Sequence, residues 1–98
     1  MGTDELILHA IQERRLIGFT LHGLARVGEP HVYGVYRQAK QLLIYQVRGE
    51  SRSGGLPDWR RVDVLEMRNP VLLDEIFSTP RVTRAGHTEW DLVFARVE

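Results

Sequence analysis

QLLIYQVRGESRSGGLPDWRRVDV, residues 41–64, decides how the chain reads. Gln41 to Arg48 splits into two rows when alternate residues are assigned to opposite faces of a strand. Leu43, Tyr45 and Val47 form one row, and Leu42, Ile44, Gln46 and Arg48 the other. Both rows start apolar, the pattern of a strand covered on both sides, and the N-terminal helix is the obvious second cover. Beyond a Gly/Ser loop, Trp59 to Met67 repeats the alternation: Val62 and Val64 point inward, while Arg61 and Asp63 take the opposite face. Arg60 shares the inward face at the strand's opening, so its guanidinium is expected at the mouth of the core.

Short strands fill most of the remaining chain. Residues 16–21 read as a first strand, ended by His22-Gly23. Arg26-Val27-Gly28-Glu29-Pro30 reads as a turn leading into His31 to Arg37, and Gln38-Ala39-Lys40 as a second turn. Asn69-Pro70 is expected to break the strand from Trp59, since proline cannot donate to a central ladder. Residues 72–77 fit either a helical turn or an extended crossing. A last hairpin is expected after Pro80, turning at Ala85-Gly86-His87, with Trp90, Leu92 and Phe94 alternating along its second arm.

One helix precedes all this, over residues 4–15. Thr3 stands as N-cap, Asp4 and Glu5 suit the first turn, and Arg14 and Arg15 close the last. Leu6, Ile7, Ala10 and Ile11 supply its apolar stripe. One helix, closely spaced strands and no repeat predict a mainly β chain built as a small barrel.

With 98 residues there is room for a single domain: a helix, barrel strands over about 16–67, and a C-terminal extension over 70–98. Apolar residues make up 43% and charged residues 27%, as in an ordinary folded domain. Thirteen cations balance thirteen anions, which disfavours indiscriminate grip on DNA. Lys40 is the only lysine, so the cations are almost all arginine, the better residue for bidentate contact with phosphate or carboxylate. There is no cysteine, which removes thiol catalysis, disulfides and thiolate metal sites and fits a reducing cytosol. An acidic N-terminus and the lack of any long apolar run point to a cytoplasmic protein with no membrane partner.

The loop after Gly49 carries two incomplete motifs. Gly49 and Gly54 have phosphate-loop spacing, but Gly55 and Leu56 follow where lysine and a hydroxyl residue are needed. Gly49-Glu50-Ser51-Arg52 continues with Ser53 where a nucleophile elbow needs glycine. One reading is a plain connection, with glycine and serine serving backbone conformation. The other is an anion site: Arg48, Arg52, Arg60 and Arg61 outnumber Glu50 and Asp58, and Gly-rich backbone can cradle an anion without lysine.

The order of elements resembles the WYL domain. An N-terminal helix ending in AIQERRLIGF is followed by Arg26 and Pro30, then PHVYG, LLIYQ, and a Gly/Ser loop running into DWRRVDV. The likeness spans about residues 6–81. It departs from the family where Leu43-Ile44-Tyr45 replaces the Trp-Tyr-Leu triplet and where Arg60-Arg61-Val62 lacks a phenylalanine. The resemblance implies a five-stranded Sm-like or SH3-like barrel that senses a ligand, in some members a nucleic acid or nucleotide, within transcription regulation. No helix-turn-helix precedes the barrel, so direct promoter reading is not expected.

Combined with the resemblance, these features predict a regulatory binding module for an anionic ligand, a nucleotide or single-stranded nucleic acid. The candidate site residues are Arg26, His31, Tyr33, Arg48, Ser51, Arg52, Ser53, Trp59 and Arg60. The arginines would hold phosphate. Trp59 or Tyr33 would stack a base, each such contact contributing roughly 1–3 kcal/mol. His9, His22, His31 and His87 lack metal-site spacing, and no serine has a histidine and acid near in sequence. No cofactor, metal or catalytic residue is therefore expected. The alternative is a protein-interaction barrel, with residues 88–97 closing the barrel or pairing with a second copy.

Overall fold

A computed structural model describes residues 1–50, 55–78, 81 and 89–98. The expected class holds: mainly β, small and barrel-like, with one N-terminal helix. Helix α1 is Thr3–Glu13, with Leu6, Ile7, Ala10 and Ile11 buried as one stripe and Asp4 and Glu5 at its positive end. Its ends differ from expectation. Gly2 occupies the N-cap without a side-chain bond, and Thr3 is already helical. Arg14 is the C-cap, left-handed at φ 54°, donating its N–H to the carbonyls of Ala10 and Ile11. Arg15 opens the first strand. The chain must reverse at once to lay that strand under the helix, and the Arg14 carbonyl accepts the Phe77 N–H at 2.9 Å.

The strands are β1 (Arg15–Leu21), β2 (Leu24–Tyr36), β3 (Ala39–Gly49), β4 (Asp58–Asp63), β5 (Arg68–Ile76) and β6 (Leu92–Arg96). They form an antiparallel sheet ordered β4-β3-β2-β1-β5, with β6 attached to β2. The first two hairpins use two-residue turns, His22-Gly23 and Arg37-Gln38, in which all four residues have positive φ. Asp91 steadies the second by accepting the Arg37 N–H at 2.8 Å.

β2 organises the molecule. One edge pairs with β3 from Arg26↔Gly49 to Tyr36↔Ala39. Its other edge is shared, Leu24 to Gly28 pairing with β1 and Val32 to Val35 with β6. The expected turn at Arg26 to Pro30 is therefore absent, because those residues lie inside β2. Register shifts at Val27/Gly28 and Pro30/Val32 bend the strand there, and a bulge accommodates the proline that local composition read as a turn.

The break at Asn69-Pro70 also falls elsewhere. β4 stops at Asp63, whose carboxylate accepts the Leu65 N–H at 3.0 Å and starts a single 3-10 turn, Val64–Glu66. Asn69 and Pro70 then belong to β5, which pairs only with β1 among the described residues, so proline sits on an edge strand. Residues 72–76 are extended within β5. The turn expected at 85–87 lies outside the described residues, and the arm that followed it is β6.

Both faces of β3 are buried, as its alternation requires. Leu42 and Ile44 join α1, Phe19, Tyr33, Val62 and Val64 in one cluster. Leu43 joins Val32 and Trp59 in a second, with Tyr45, Trp90 and Val93 packed against it. The cover on that second face is the C-terminal arm, where the sequence pointed to the helix. α1 instead caps the cluster that holds the barrel interior.

Candidate functional site

The arginine-bearing end comes first. Ser51, Arg52 and Ser53 lie outside the described residues. Arg48 leaves β3 into solvent and grips both carboxylate oxygens of Glu75 on β5. That bond raises the Arg48 pKa and holds the Glu75 carboxyl below its ordinary value. The pair is exposed, so salt screens it and it adds little stability. Arg60 folds back onto its own strand, donating to Asp58 at 3.2 Å and to the Trp59 carbonyl at 2.8 Å. Arg26 is 7% exposed and reaches the Gln46 side-chain oxygen at 3.5 Å. Gln46 is wholly buried and donates to the carbonyls of Arg48 and Glu50 at 3.3 and 3.1 Å.

These arginines therefore do not present one uncompensated positive mouth among the described residues. Arg26 bonds Gln46, Arg48 bonds Glu75 and Arg60 bonds Asp58. Arg60 also stands opposite Ile44, four positions along β3 from Arg48. The sequence could count charges near the loop but could not pair them, since Glu75 is 27 residues from Arg48.

Tyr33, His31 and Trp59 are buried and packed within the chain. Tyr33 is 1% exposed, and its hydroxyl donates to Asp4 at 2.6 Å, tying the first turn of α1 to β2. Burial first, and then Asp4, push its phenol well above the ordinary value. Trp59 is 7% exposed, packed edge-on against His31 at 4.9 Å and Tyr45 at 5.3 Å.

His31 is 3% exposed and stacks on Phe77 at 5.1 Å. Its Nε2 accepts the Arg81 backbone N–H at 3.1 Å, so that nitrogen carries no proton. Nδ1–H must then donate to the Glu29 carbonyl at 2.9 Å, which fixes the neutral tautomer. Desolvation lowers the ring's pKa, opposed by the Glu29 carbonyl bond and carboxylate and reinforced by Arg81. The Arg81 guanidinium forks onto Glu29 at 2.7 and 3.1 Å and lies 4.1 Å from the Tyr45 ring centre. Glu29, His31 and Arg81 thus form a latch that holds the chain beyond β5 against the outer face of β2 and β3. Sequence reasoning missed Glu29, Phe77 and Arg81. The adjacency of Glu29 to His31 was visible, but their partner lies about 50 residues away.

A different surface is concave. α1 and β6, from the two ends of the chain, enclose a cleft of about 720 Å³. Leu8, Ile11, Phe94 and Ala95 supply its apolar lining, and Arg14, Arg96 and Glu98 its charged rim. Phe94 is 42% exposed and leans on Tyr33 at 5.1 Å, with the Lys40 ammonium 5.9 Å from its ring centre. Arg14 uses its guanidinium on the carbonyls of Ser78, at 2.6 Å, and Glu98. Arg96 is exposed and makes no ion pair among the described residues. Nothing in the sequence marked this cleft, because its walls lie about 80 residues apart.

Among the described residues no group of three His, Asp or Glu side chains could hold a metal ion, and no helix is long and apolar enough to cross a membrane. No protein-family model, curated protein or solved structure matches the chain.

Proposed function

We propose that the chain is a non-enzymatic binding module of regulatory type, and that its ligand enters the cleft between α1 and β6. The observation that carries this is the meeting, in one concave surface, of apolar side chains and an arginine with no ion-pair partner among the described residues. Its volume of about 720 Å³ falls within the range of about 300–1,000 Å³ usual for small-molecule sites. The WYL-like order of sequence elements agrees with a sensing role, but the arginine-bearing end is a weaker site. Its cations are spent on local partners, and its aromatic rings are packed.

The test uses two probes. Anilinonaphthalene sulfonate, an apolar dye with one anionic group, is expected to saturate the wild-type protein. Phe94→Ser and Leu8→Gln should each weaken that binding several-fold. Labelled single-stranded DNA and ATP are expected to show no micromolar binding that depends on Arg48 or Arg60. Dye binding unmoved by both cleft variants would overturn the proposal. Micromolar DNA binding abolished by Arg60→Ala would return the site to the arginine-bearing end.

A second reading is association of two copies through residues 88–97. β6 pairs with β2 along one edge only among the described residues, and Leu92 and Phe94 are 54% and 42% exposed. Sedimentation equilibrium decides it: a monomer at high concentration removes it, and a dimer dispersed by Phe94→Ser supports it.

A further inference from the structure

We infer that the cleft's ligand is an amphipathic monocarboxylate, with its apolar tail against Leu8, Ile11 and Phe94 and its carboxylate on Arg96. This deepens the binding reading above and rests on it. Leu8 and Ile11 are one helical turn apart and face the cleft together, so they form a continuous apolar strip along α1. Phe94 closes the opposite wall, and its ring is half-exposed where a tail would cover it. Such a strip rewards length in a ligand, because each methylene laid along it leaves water.

The head group follows from what the two rim guanidiniums are doing. Arg14 is committed to the carbonyls of Ser78 and Glu98, and its donors position the chain's last described residue. The Arg96 guanidinium has no hydrogen-bond or ion-pair partner among the described residues, and its planar fork matches a carboxylate edge. Charge limits the head to one negative unit. Arg14 and Arg96 face one side-chain carboxylate, Glu98, so the rim carries at most one net positive charge. A dianion such as a phosphate monoester would meet Glu98 with one charge uncompensated.

Amide chemical shifts of the full chain would be followed during titration with hexanoate, octanoate, decanoate, decanol, decylamine and decyl phosphate, all below micelle-forming concentrations. Decanoate is expected to bind about tenfold more tightly than decanol or decylamine, with shifts centred on residues 8–12 and 93–96. Affinity should rise about two- to fourfold per methylene from hexanoate to decanoate. Arg96→Gln, an exposed substitution that spares the core, should weaken decanoate about tenfold and leave decanol unchanged. Equal binding of decanoate and decanol, tighter binding of decyl phosphate, or indifference to Arg96→Gln would overturn the ligand class while leaving an apolar binding cleft. Shifts that saturate only at millimolar concentration, whatever the chain length, would mark adventitious contact and overturn it too. No shifts in α1 or β6 with any of these compounds would remove the binding reading itself.

Discussion

Valine at position 34 is expected to force β6 off β2 and to cost about 3–5 kcal/mol of stability, the scale of losing a large packed side chain together with overpacking strain. Gly34 lies where β2 is flanked by β3 through Gln41 and by β6 through Val93. A Cβ built there would fall far inside contact distance of the Leu92 carbonyl oxygen and 3.1 Å from the Trp90 ring. That oxygen is backbone and cannot rotate aside. β6 must move as a unit, and with it go Trp90 and Val93, which pack over Val32, Leu43 and Trp59. Urea unfolding would read the loss, with Leu65→Gln as control, since Leu65 is 78% exposed. The control should change stability by less than about 0.5 kcal/mol. Because β6 forms one wall of the cleft, Gly34→Val should also abolish dye binding. A Gly34→Val protein of wild-type stability would mean that β6 is not seated on β2 as described.

Acidification is expected to weaken the wild-type fold through His31. In the native chain the imidazole is neutral and buried, with one nitrogen donating to the Glu29 carbonyl and the other accepting from Arg81. Protonation would set a new N–H against the Arg81 N–H and charge a desolvated ring. The native pKa is consequently lowered. The unfolded chain takes up this proton first, as the pH falls below about 6.5. Stability therefore declines from that point, by at most about 1.4 kcal/mol per pH unit for one proton, and levels off once the native ring also titrates. His31→Phe keeps the stacking on Phe77 and Trp59 but cannot bond Arg81 or titrate. It should cost about 1–2 kcal/mol at pH 7.5 through the lost hydrogen bonds. Between pH 6.5 and the native pKa, its unfolding midpoint should fall less steeply than the wild type's. Parallel profiles would show that the ring does not hold the latch.

Legibility varied along the chain for identifiable reasons. The stripe Leu6, Ile7, Ala10, Ile11 and the inward pair Val62 and Val64 were readable, because helix and strand periods are properties of neighbouring residues. The two rows of β3 correctly announced burial on both faces. Their second cover was misread, because Trp90 and Val93 lie more than forty residues downstream. Gly28, Glu29 and Pro30 had turn composition yet serve as the bent middle of a 13-residue strand, where the partners on either side override local preference. Asn69-Pro70 failed similarly, since proline is excluded from a central strand but tolerated on the edge that β5 provides.

The partners of the candidate site residues were not legible in the sequence. Arg26, His31, Tyr33, Arg48, Trp59 and Arg60 were chosen for their chemistry, and each is already bonded or packed within the chain.

Alternating and helical hydrophobicity by themselves determined one helix, several short strands and a mainly β class, because burying apolar side chains constrains the backbone over a few residues at a time. The tertiary structure alone decided which cations were already neutralised and where a concavity opened. Those outcomes depend on distances between residues far apart in the chain, and an ion pair or a cleft wall leaves no periodic trace in the residues that form it.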